Sequence, residues 1–361
     1  MHIQMTSGRG SGRIRELALP AQNSGPRPNR KSAAMLFVSP LRASALVVCI
    51  LPFVLPQRAL AYTAYVTNEK GNSVSVIDTN KLVTTKTIPV GQRPRGIALS
   101  PDSKELYICA SDDDTIQVID TKTMQIIGNL ESGADPELLI VSPDGKYVFT
   151  SNENDNLVTV IDVKTRRRVF DVPVGVEPEG MAVSPDDKTL VNTSETTNMA
   201  HMIDLQSRKV IANILVDARP RFAQFTPDGK ELWVSSEVGG TVAVIDPVKH
   251  LVMQKIRFAI PGLANEAIQP VGINFTADGK TAFVALGPAN HVAVIDAATK
   301  RVEKYLLVGQ RVWHMAFTPD GKYLYTANGV SNDVSVIDVA DLKVIKSIPV
   351  GQLPWGVAIG K

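Results

Sequence analysis

Short apolar runs of four to six residues recur along most of this chain, and each run is bounded by turn-forming residues. Residues 74–77 and 242–245 are typical, because small and β-branched residues fill them and no long helical stripe surrounds them. Runs of this kind predict strands, and an unbroken apolar run predicts a strand that is buried on both faces. The pattern therefore indicates an all-β fold made of many short strands.

These runs repeat with a nearly constant period. A Val-Ile-Asp tripeptide or a close variant occurs seven times, at intervals of 42, 42, 42, 42, 50 and 42 residues. Its aspartates are Asp78, Asp120, Asp162, Asp204, Asp246, Asp296 and Asp338. A repeat of about this length is typical of one four-stranded propeller blade. The sequence thus predicts a seven-bladed β-propeller with antiparallel blades, in which each aspartate accepts backbone N–H bonds from residues two positions on.

A second marker, Pro-Asp-Gly-Lys or a relative, predicts the hairpin between the first and second strands of a blade. Its aspartates are Asp102, Asp144, Asp186, Asp228, Asp278 and Asp320. The missing seventh copy points to a blade assembled from both ends of the chain: residues 62–68 read as a second strand and residues 356–361 as a first strand. We expect the C-terminal strand to pair with the N-terminal strands and close the ring, leaving no free sheet edge.

The N-terminal segment differs in kind from the repeats. An apolar run at residues 45–55 follows basic residues and precedes Ala59-Leu60-Ala61, a small-x-small cleavage pattern. We interpret residues 1–61 as a leader and secretory signal peptide, and residues 62–361 as a single propeller domain. Because the apolar run is short for a bilayer span, we expect a periplasmic or secreted protein with no stable membrane span after cleavage. Translation could start at Met1 or at Met35.

Processing would change the charge and the cysteine content. Loss of residues 1–61 removes eight Lys and Arg and one Glu, so the formal net charge falls from +2 to −5. A mildly acidic protein lacks the basic patch that nucleic acids require, so we expect no nucleic-acid partner. Cys109 is then the only cysteine; we place it in a second strand as a buried apolar residue. Zinc-type and haem-attachment cysteine motifs are absent from the sequence, and we predict neither a metal nor a cofactor.

Departures from the repeat concentrate in the loop that leads into the first strand of each blade, here called the lead-in loop. It usually reads Pro-x-Gly, and its x position should face the mouth of the central channel. Around the ring the x residues are Arg95, Glu137, Glu179, Arg221, Val271, Trp313 and Trp355. The residues that follow them are Gly96, Leu138, Gly180, Phe222, Gly272, His314 and Gly356. The loop after the second strand adds Glu69, Glu153, Glu195 and Glu237.

This set has the elements of a ligand or partner site at the channel mouth. Aromatic faces stack, guanidinium groups bind anions, carboxylates attract cations, and a histidine can titrate near neutrality. The predicted binding residues are Arg95, Glu137, Glu179, Arg221, Trp313, His314 and Trp355, and no residue is assigned as catalytic. The alternative is that the Arg and Glu residues pair around a solvated funnel while the tryptophans plug it.

Other candidate chemistry is sparse. His201 and His291 fall in third strands and His250 falls in a turn on the opposite rim, which argues against a three-histidine metal site. No nucleophile motif or phosphate-binding glycine loop occurs in the sequence. The 50-residue interval places an insertion near residues 261–269, within the long repeat that precedes the blade carrying Val312-Trp313-His314. We expect this irregular region to carry function, because the regular repeats already supply the scaffold.

The runs Tyr65-Val66-Thr67-Asn68 and Tyr325-Thr326-Ala327-Asn328, each followed by a Val-Ile-Asp strand, resemble the YVTN family of propeller repeats. The likeness covers residues 62–361. Seven repeats behind a signal peptide look most like the exported propeller proteins associated with PQQ-dependent alcohol catabolism. That resemblance implies a periplasmic accessory whose partners are a quinoprotein dehydrogenase, a cytochrome or a transport component. It implies no catalytic residue set.

Three functions remain open. The first is a non-enzymatic binding or interaction module, a monomer, that uses the channel mouth. The second is a lactonase-like hydrolase, as in related seven-bladed propellers, with Glu137 or Glu179 as base and Arg221 stabilising an oxyanion. The third is a tetrapyrrole-binding propeller of the haem d1 type, with His314 as axial ligand.

Overall fold

A computed structural model describes residues 62–361, and the predicted leader and signal peptide lie outside this range. The first fourteen strands are β1 (Thr63–Asn68), β2 (Ser73–Asp78), β3 (Val83–Pro89), β4 (Pro94–Leu99), β5 (Glu105–Ala110), β6 (Thr115–Asp120), β7 (Gln125–Glu131), β8 (Pro136–Val141), β9 (Tyr147–Asn152), β10 (Leu157–Asp162), β11 (Arg167–Pro173), β12 (Pro178–Val183), β13 (Thr189–Ser194) and β14 (Met199–Asp204). The remaining strands are β15 (Lys209–Leu215), β16 (Pro220–Phe225), β17 (Leu232–Ser236), β18 (Thr241–Asp246), β19 (Leu251–Arg257), β20 (Ile273–Phe275), β21 (Thr281–Ala285), β22 (His291–Asp296), β23 (Arg301–Leu307), β24 (Val312–Phe317), β25 (Tyr323–Asn328), β26 (Asp333–Asp338), β27 (Lys343–Pro349) and β28 (Pro354–Gly360). Short 3-10 helices lie at Ser111–Asp113 and Asn265–Ala267.

The strands form seven four-stranded antiparallel sheets, so the predicted seven-bladed β-propeller is confirmed. Blade 1 has the order β28-β1-β2-β3, and blades 2 to 7 each contain four consecutive strands from β4 onward. The first strand of each blade faces the central channel. The predicted ring closure is confirmed too, because β28 pairs antiparallel with β1, from Thr63 opposite Gly360 to Asn68 opposite Pro354.

The middle strands are buried because neighbouring blades pack face to face. In β2, for example, Val74 and Ile77 are fully buried, whereas the outer strand β3 is mostly exposed. Seven hydrophobic clusters of buried residues lie one at each interface between neighbouring blades. Cys109 belongs to the cluster between blades 2 and 3; it is fully buried as predicted, and burial raises the pKa of its thiol well above the ordinary value.

The two rims of the ring are built differently. The hairpin rim holds the turns between first and second strands and those between third and fourth strands. The mouth rim holds the lead-in loops and the turns after the second strands. The Val-Ile-Asp aspartates cap hairpin-rim turns as predicted, although their bonds reach mainly the residue three positions on. Asp162 Oδ1, for instance, accepts the N–H of Thr165 at 2.7 Å, and only Asp78 and Asp246 also accept from a residue two positions on.

Between residues 62 and 361, no helix has both the length and the apolarity that crossing a membrane requires. The insertion of the long repeat joins β19 to β20 on the mouth rim, where the sequence placed it. It contains the 3-10 helix at Asn265–Ala267 and ends on the buried Ile268 and Val271.

Candidate functional site

The lead-in loops bring four of the predicted site residues together at the channel mouth as two oppositely charged pairs. Arg95 pairs with Glu137 of the next blade, and its Nη2 also lies 3.2 Å from Oε1 of Glu69. Arg221 pairs with Glu195, and its Nη2 lies 3.1 Å from Oε1 of Glu179. Each arginine therefore joins carboxylates from neighbouring blades. The two groups of ion pairs form one network through their charges, because Glu137 and Arg95 both affect the pKa of Glu179.

The network extends to residues that the sequence analysis did not single out. Arg219 Nε lies 2.8 Å from a Glu195 oxygen and 3.2 Å from a Glu237 oxygen. Arg311 Nη2 lies 2.8 Å from Oε1 of Glu237. Arg93 pairs with Asp135 and places Nη1 3.1 Å from Oε1 of Glu137. The full set, here called the mouth network, consists of Arg93, Arg95, Arg219, Arg221, Arg311, Glu69, Asp135, Glu137, Glu153, Glu179, Glu195 and Glu237.

A shared sequence signal identifies most of the missed residues. Arg93, Asp135, Arg219 and Arg311 each stand two residues before an x position of a lead-in loop. All four have a left-handed backbone, with φ between 51° and 58°. That conformation turns the chain so that side chains two residues apart meet over the same channel mouth. An alignment of the repeats extended by two residues would have found them.

The centre of the network is buried, not solvated. Glu137, Glu179 and Arg221 expose 0%, 1% and 4% of their surface. Burial disfavours the ionised form of Glu137, but Arg95 and Arg93 outweigh it and lower the pKa of that carboxyl. Burial raises the pKa of Glu179 well above its ordinary value, against the opposing effect of Arg221. The picture of residues pairing around a solvated funnel is therefore wrong in its solvation, although the pairing itself is present.

The mouth network contains more carboxylates than arginines, and protonation of some carboxylates offsets part of the excess negative charge. Burial and the neighbouring Glu137 raise the pKa of Glu153 to about 8, and burial with Glu137 raises the pKa of Asp135 to about 6. Asp135, Glu137 and Glu153 together are the one acidic group within residues 62–361 close enough to share a metal ion. Arg93 and Arg95 already neutralise two of these three carboxylates, which makes the group poorly suited to a divalent cation.

The aromatic residues of the predicted site cover the inner end of this network. The guanidinium carbon of Arg311 lies 4.3 Å, and that of Arg221 5.4 Å, from the ring centroid of Trp313. Arg95 lies 5.8 Å from the ring of Trp355. Cations at these distances are attracted to the ring face. Trp355 is almost completely buried, whereas Trp313 is partly exposed at the mouth.

His314 is inserted among aromatic rings. Its ring centroid lies 4.1 Å from that of Trp355 and 5.3 Å from that of Phe222. Burial, together with Arg221 and Arg95, lowers the pKa of His314 to about 3. The expectation that His314 titrates near neutrality is therefore wrong: the side chain is neutral at physiological pH, because a charged imidazole would be desolvated beside two cations.

Large side chains from alternate blades close the channel. Leu138, Phe222 and His314 occupy the position after x in blades 3, 5 and 7. Each of them abuts a glycine of the preceding blade: a Cβ on Gly96 would lie 2.9 Å from Cα of Leu138, one on Gly180 would lie 2.6 Å from Cα of Phe222, and one on Gly272 would lie 3.2 Å from Cα of His314. Together with Trp355 these three residues form a plug beneath the mouth network. The channel is thus not open from rim to rim.

The other histidines among residues 62–361 lie away from this site. His201 and His291 are in the third strands β14 and β22, as predicted, and His250 is in a turn on the hairpin rim. His201 is hydrogen-bonded within blade 4, to Asn213 at 2.6 Å and to Ser194 at 3.1 Å. Gln269 of the insertion accepts a bond from Arg311 at 3.2 Å, so the long repeat contacts the edge of the mouth network.

Comparison with known proteins supports the architecture. A family model described as a YNCE-like beta-propeller matches residues 28–156, and one described as a lactonase, 7-bladed beta-propeller matches residues 204–343. The chain is a β-propeller. The two matches support a β-propeller family in this general sense, because each covers a different part of the chain. A search of curated protein sequences found no match.

Solved structures with the same fold come from proteins of diverse activity. Hydrazine synthase of Kuenenia stuttgartiensis has 24% identity and a TM-score of 0.70, over 77% of this chain and 92% of that one. A functionally unknown protein of Desulfotomaculum acetoxidans has 17% identity and a TM-score of 0.72, over 82% and 98%. Dihydro-heme d1 dehydrogenase NirN in complex with DHE has 17% identity and a TM-score of 0.63, over 82% and 74%. At these identities the likeness concerns the fold alone.

Proposed function

We propose that the protein is an exported, non-enzymatic propeller that binds a ligand or partner at its mouth rim. The observation that supports this most strongly is the mutual pairing of the mouth network. Of the groups that a hydrolase would use, Arg221 is paired with Glu179 and Glu137 is paired with Arg95, and all three are buried. What the mouth presents outward is Trp313 beside Arg311, an aromatic and cationic surface suited to recognition.

The biological setting follows from the resemblance to the exported YVTN propellers. We propose that the protein acts in the periplasm as an accessory of PQQ-dependent alcohol oxidation. Its partner would be a quinoprotein dehydrogenase, a cytochrome or a transport component. Tryptophan and arginine are among the residue types that contribute most to the binding energy of protein interfaces. Trp313 and Arg311 are such residues, and the insertion that contacts Arg311 lies beside them.

Binding is tested by titrating the purified protein with PQQ, aromatic alcohols and the partner dehydrogenase while following tryptophan fluorescence. We expect a saturable response that Trp313→Ala weakens at least tenfold, because truncating a central interface aromatic typically costs more than 1 kcal/mol. Tyr147→Ala is the matched control, since Tyr147 is an exposed aromatic on the hairpin rim. Silence toward all three probes, or equal loss in both variants, would contradict the proposal.

The lactonase-like hydrolase is the second candidate, because the lactonase family model spans residues 204–343 and so includes Arg221 and His314. A general base must reach the proton that it abstracts, and Glu179 is buried in its pair with Arg221. We therefore expect no turnover on a panel of lactones. Activity that disappears in Glu179→Gln and survives in Glu69→Gln would reverse this ranking.

Tetrapyrrole binding fits the site less well. An axial histidine needs an open coordination face, but His314 exposes only 6% of its surface and packs against Phe222 and Trp355. The space beneath it measures about 300 Å³, at the lower end of ordinary small-ligand pockets. Reconstitution with haem should accordingly give no shifted Soret band, and a band that His314→Ala abolishes would support the alternative.

A further inference from the structure

The part of the central channel between the plug and the hairpin rim forms a separate pocket. It encloses about 300 Å³ and lies against the inner strands of blades 1, 2, 3 and 7. Its inner end is formed by Trp355, His314 and Phe222, and its walls include Ile97 and Val357. The buried plug separates this pocket from the mouth network. The pocket therefore differs from the proposed mouth site in both position and chemistry.

The pocket opens toward the hairpin rim. Ala98, Leu99 and Val141 line it, and each is partly exposed near the hairpin end of its strand. At the inner end, by contrast, Trp355 and His314 expose only 2% and 6% of their surface. A molecule would thus enter past the hairpins and stop at the aromatic plug.

Alanine is frequent at one level of the inner strands. The position three residues after x is alanine in four of the seven blades: Ala98, Ala182, Ala316 and Ala358. The other three residues at this offset are Ile140, Gln224 and Asn274. Of these seven residues Ala98 and Ile140 line the pocket, whereas Ala182 and Ala358 pack in the clusters between blades. The small side chain of Ala98 leaves space that a larger residue would fill.

The residues that line the pocket determine which kind of ligand it can bind. The side chains that line the pocket are uncharged, since His314 is neutral, so an ionised ligand would lose its hydration without gaining a partner. His314 Nε2 and Trp355 Nε1 are buried ring nitrogens without a hydrogen-bond partner among the described residues. Unpaired buried polar groups are costly, and a hydroxyl can donate to one nitrogen and accept from the other.

We propose that the channel beneath the plug is a second binding site, which takes a small uncharged aromatic molecule bearing a hydroxyl group. The ring would pack on Trp355 and the aliphatic walls, and the hydroxyl would face the plug nitrogens. An apolar cavity of about 150 Å³ is enough for benzene, so this pocket has room for one ring with a short substituent.

Three probes of matched shape test the site: benzyl alcohol, toluene and benzoate. Fluorescence of Trp355, checked by saturation-transfer NMR of the probe, reports binding. We expect benzyl alcohol to bind with a Kd on the order of 1 mM or tighter, toluene several-fold more weakly, and benzoate at least tenfold more weakly. No binding of benzyl alcohol, which would leave water as the only occupant, or benzoate binding as tightly as benzyl alcohol, would overturn the proposal.

Variants locate the probe in the channel. Ala98→Leu fills the pocket and Leu99→Phe narrows its opening; each should weaken benzyl alcohol binding at least tenfold. Because Leu99 is partly exposed, its variant still provides the test if Ala98→Leu fails to fold. His314→Leu should abolish the preference for benzyl alcohol over toluene. Unchanged binding in a folded blocking variant would overturn the assignment.

The control is Tyr147→Ala, on the hairpin rim but outside this channel, which should bind benzyl alcohol with unchanged affinity. Equal weakening in this control would show that the probe binds elsewhere, and would overturn the site. The mouth proposal depends on Trp313→Ala and the channel proposal on Ala98→Leu, so that either one can fail while the other stands.

Discussion

The two rims of the ring use charged residues in opposite ways. On the hairpin rim the Pro-Asp-Gly-Lys aspartates are exposed and bond within their own turns, as Asp228 does with Thr226 and with the N–H of Lys230. On the mouth rim, carboxylates and arginines from different blades are buried together, as Glu179 and Arg221 are. The first arrangement is local and recurs in six of the seven repeats. The second requires neighbouring blades to pack together, because most of its ion pairs join residues of different blades, as Arg95–Glu137 and Arg221–Glu179 do.

This difference distinguishes residues that maintain the repeated scaffold from residues that are specific to individual blades. A turn cap satisfies its own backbone, so each copy works alone and all copies can be alike. A buried network must instead balance desolvation by pairing, so the residue at each position has to suit its partners in neighbouring blades. Breaking the mouth network should therefore cost far more stability than breaking a hairpin-rim cap, and the following predictions test that order.

The largest effect should follow removal of the ring closure. Deleting residues 355–361 removes most of β28 and with it Trp355, which belongs to both the plug and blade 1. We expect severe loss of stability, since truncation of a buried tryptophan alone costs about 3–5 kcal/mol. Thermal unfolding followed by circular dichroism measures it. Deletion of Lys361 alone is the control, and an unchanged melting curve in the longer deletion would contradict the role of closure.

Arg221→Met should have the next largest effect. It leaves Glu179, Glu195 and Glu237 buried with reduced compensation, which should cost about 3–5 kcal/mol of unfolding free energy. Urea denaturation measures this cost, and Glu179→Gln added to the same chain should recover part of it. Lys188→Met removes an exposed hairpin-rim partner of Asp186 and should cost under about 1 kcal/mol. Similar losses in both variants would remove the distinction between the rims.

Glu153 should make the mouth sensitive to pH. Because its pKa is raised to about 8 in the folded protein, the folded state holds a proton that the unfolded state releases near its ordinary value of 4.5. This contribution to stability is therefore complete below about pH 4.5 and is lost as the pH rises toward 8.

Glu153→Gln should flatten the decline in stability over that range and stabilise the protein at pH 8, by about 1 kcal/mol after allowance for solvent screening. Urea denaturation at a series of pH values measures the effect. Glu69→Gln is the control and should instead destabilise, because Glu69 lies 3.2 Å from Arg95. A steeper pH dependence in Glu153→Gln would contradict the assignment.

The smallest effect should come from a single hairpin-rim cap. Asp246→Ala removes the acceptor for the N–H groups of Val248 and Lys249, each at about 3 Å. Hydrogen bonds of this kind contribute about 0.5–1.5 kcal/mol each at most, and an exposed turn can recover them from water. We expect a loss of about 1 kcal/mol in thermal unfolding and no change in ligand response at the mouth. A loss matching that of Arg221→Met would reverse the comparison.

Much of this architecture can be predicted from the sequence. The regular spacing from Asp78 to Asp338 predicted seven blades, and the reading of residues 62–68 as a second strand predicted the closure by β28. These features can be predicted from the sequence because each repeat encodes its own turns and strands. The x positions of the lead-in loops also identified residues that do meet, including Arg95 and Glu137.

The sequence did not reveal the state of those residues. His314 was expected to titrate near neutrality, and it is instead buried between rings. Arg93, Arg219 and Arg311 were overlooked, because their part in the network depends on a left-handed backbone two residues before x. The solvation and charge of a residue at the channel mouth depend on the side chains that the other blades place at the same level. The spacing of motifs along the sequence does not reveal those neighbours.

The sequence by itself determined the number of blades, the place of each strand within its repeat and the position of the irregular repeat, because these follow from local turn chemistry and hydrophobic period. Only the tertiary structure decided that the mouth is a closed ionic network and that Leu138, Phe222, His314 and Trp355 plug the channel. Those outcomes arise where seven blades converge on one axis. There, side chains that are remote in sequence compete for the same small volume and must exclude water together.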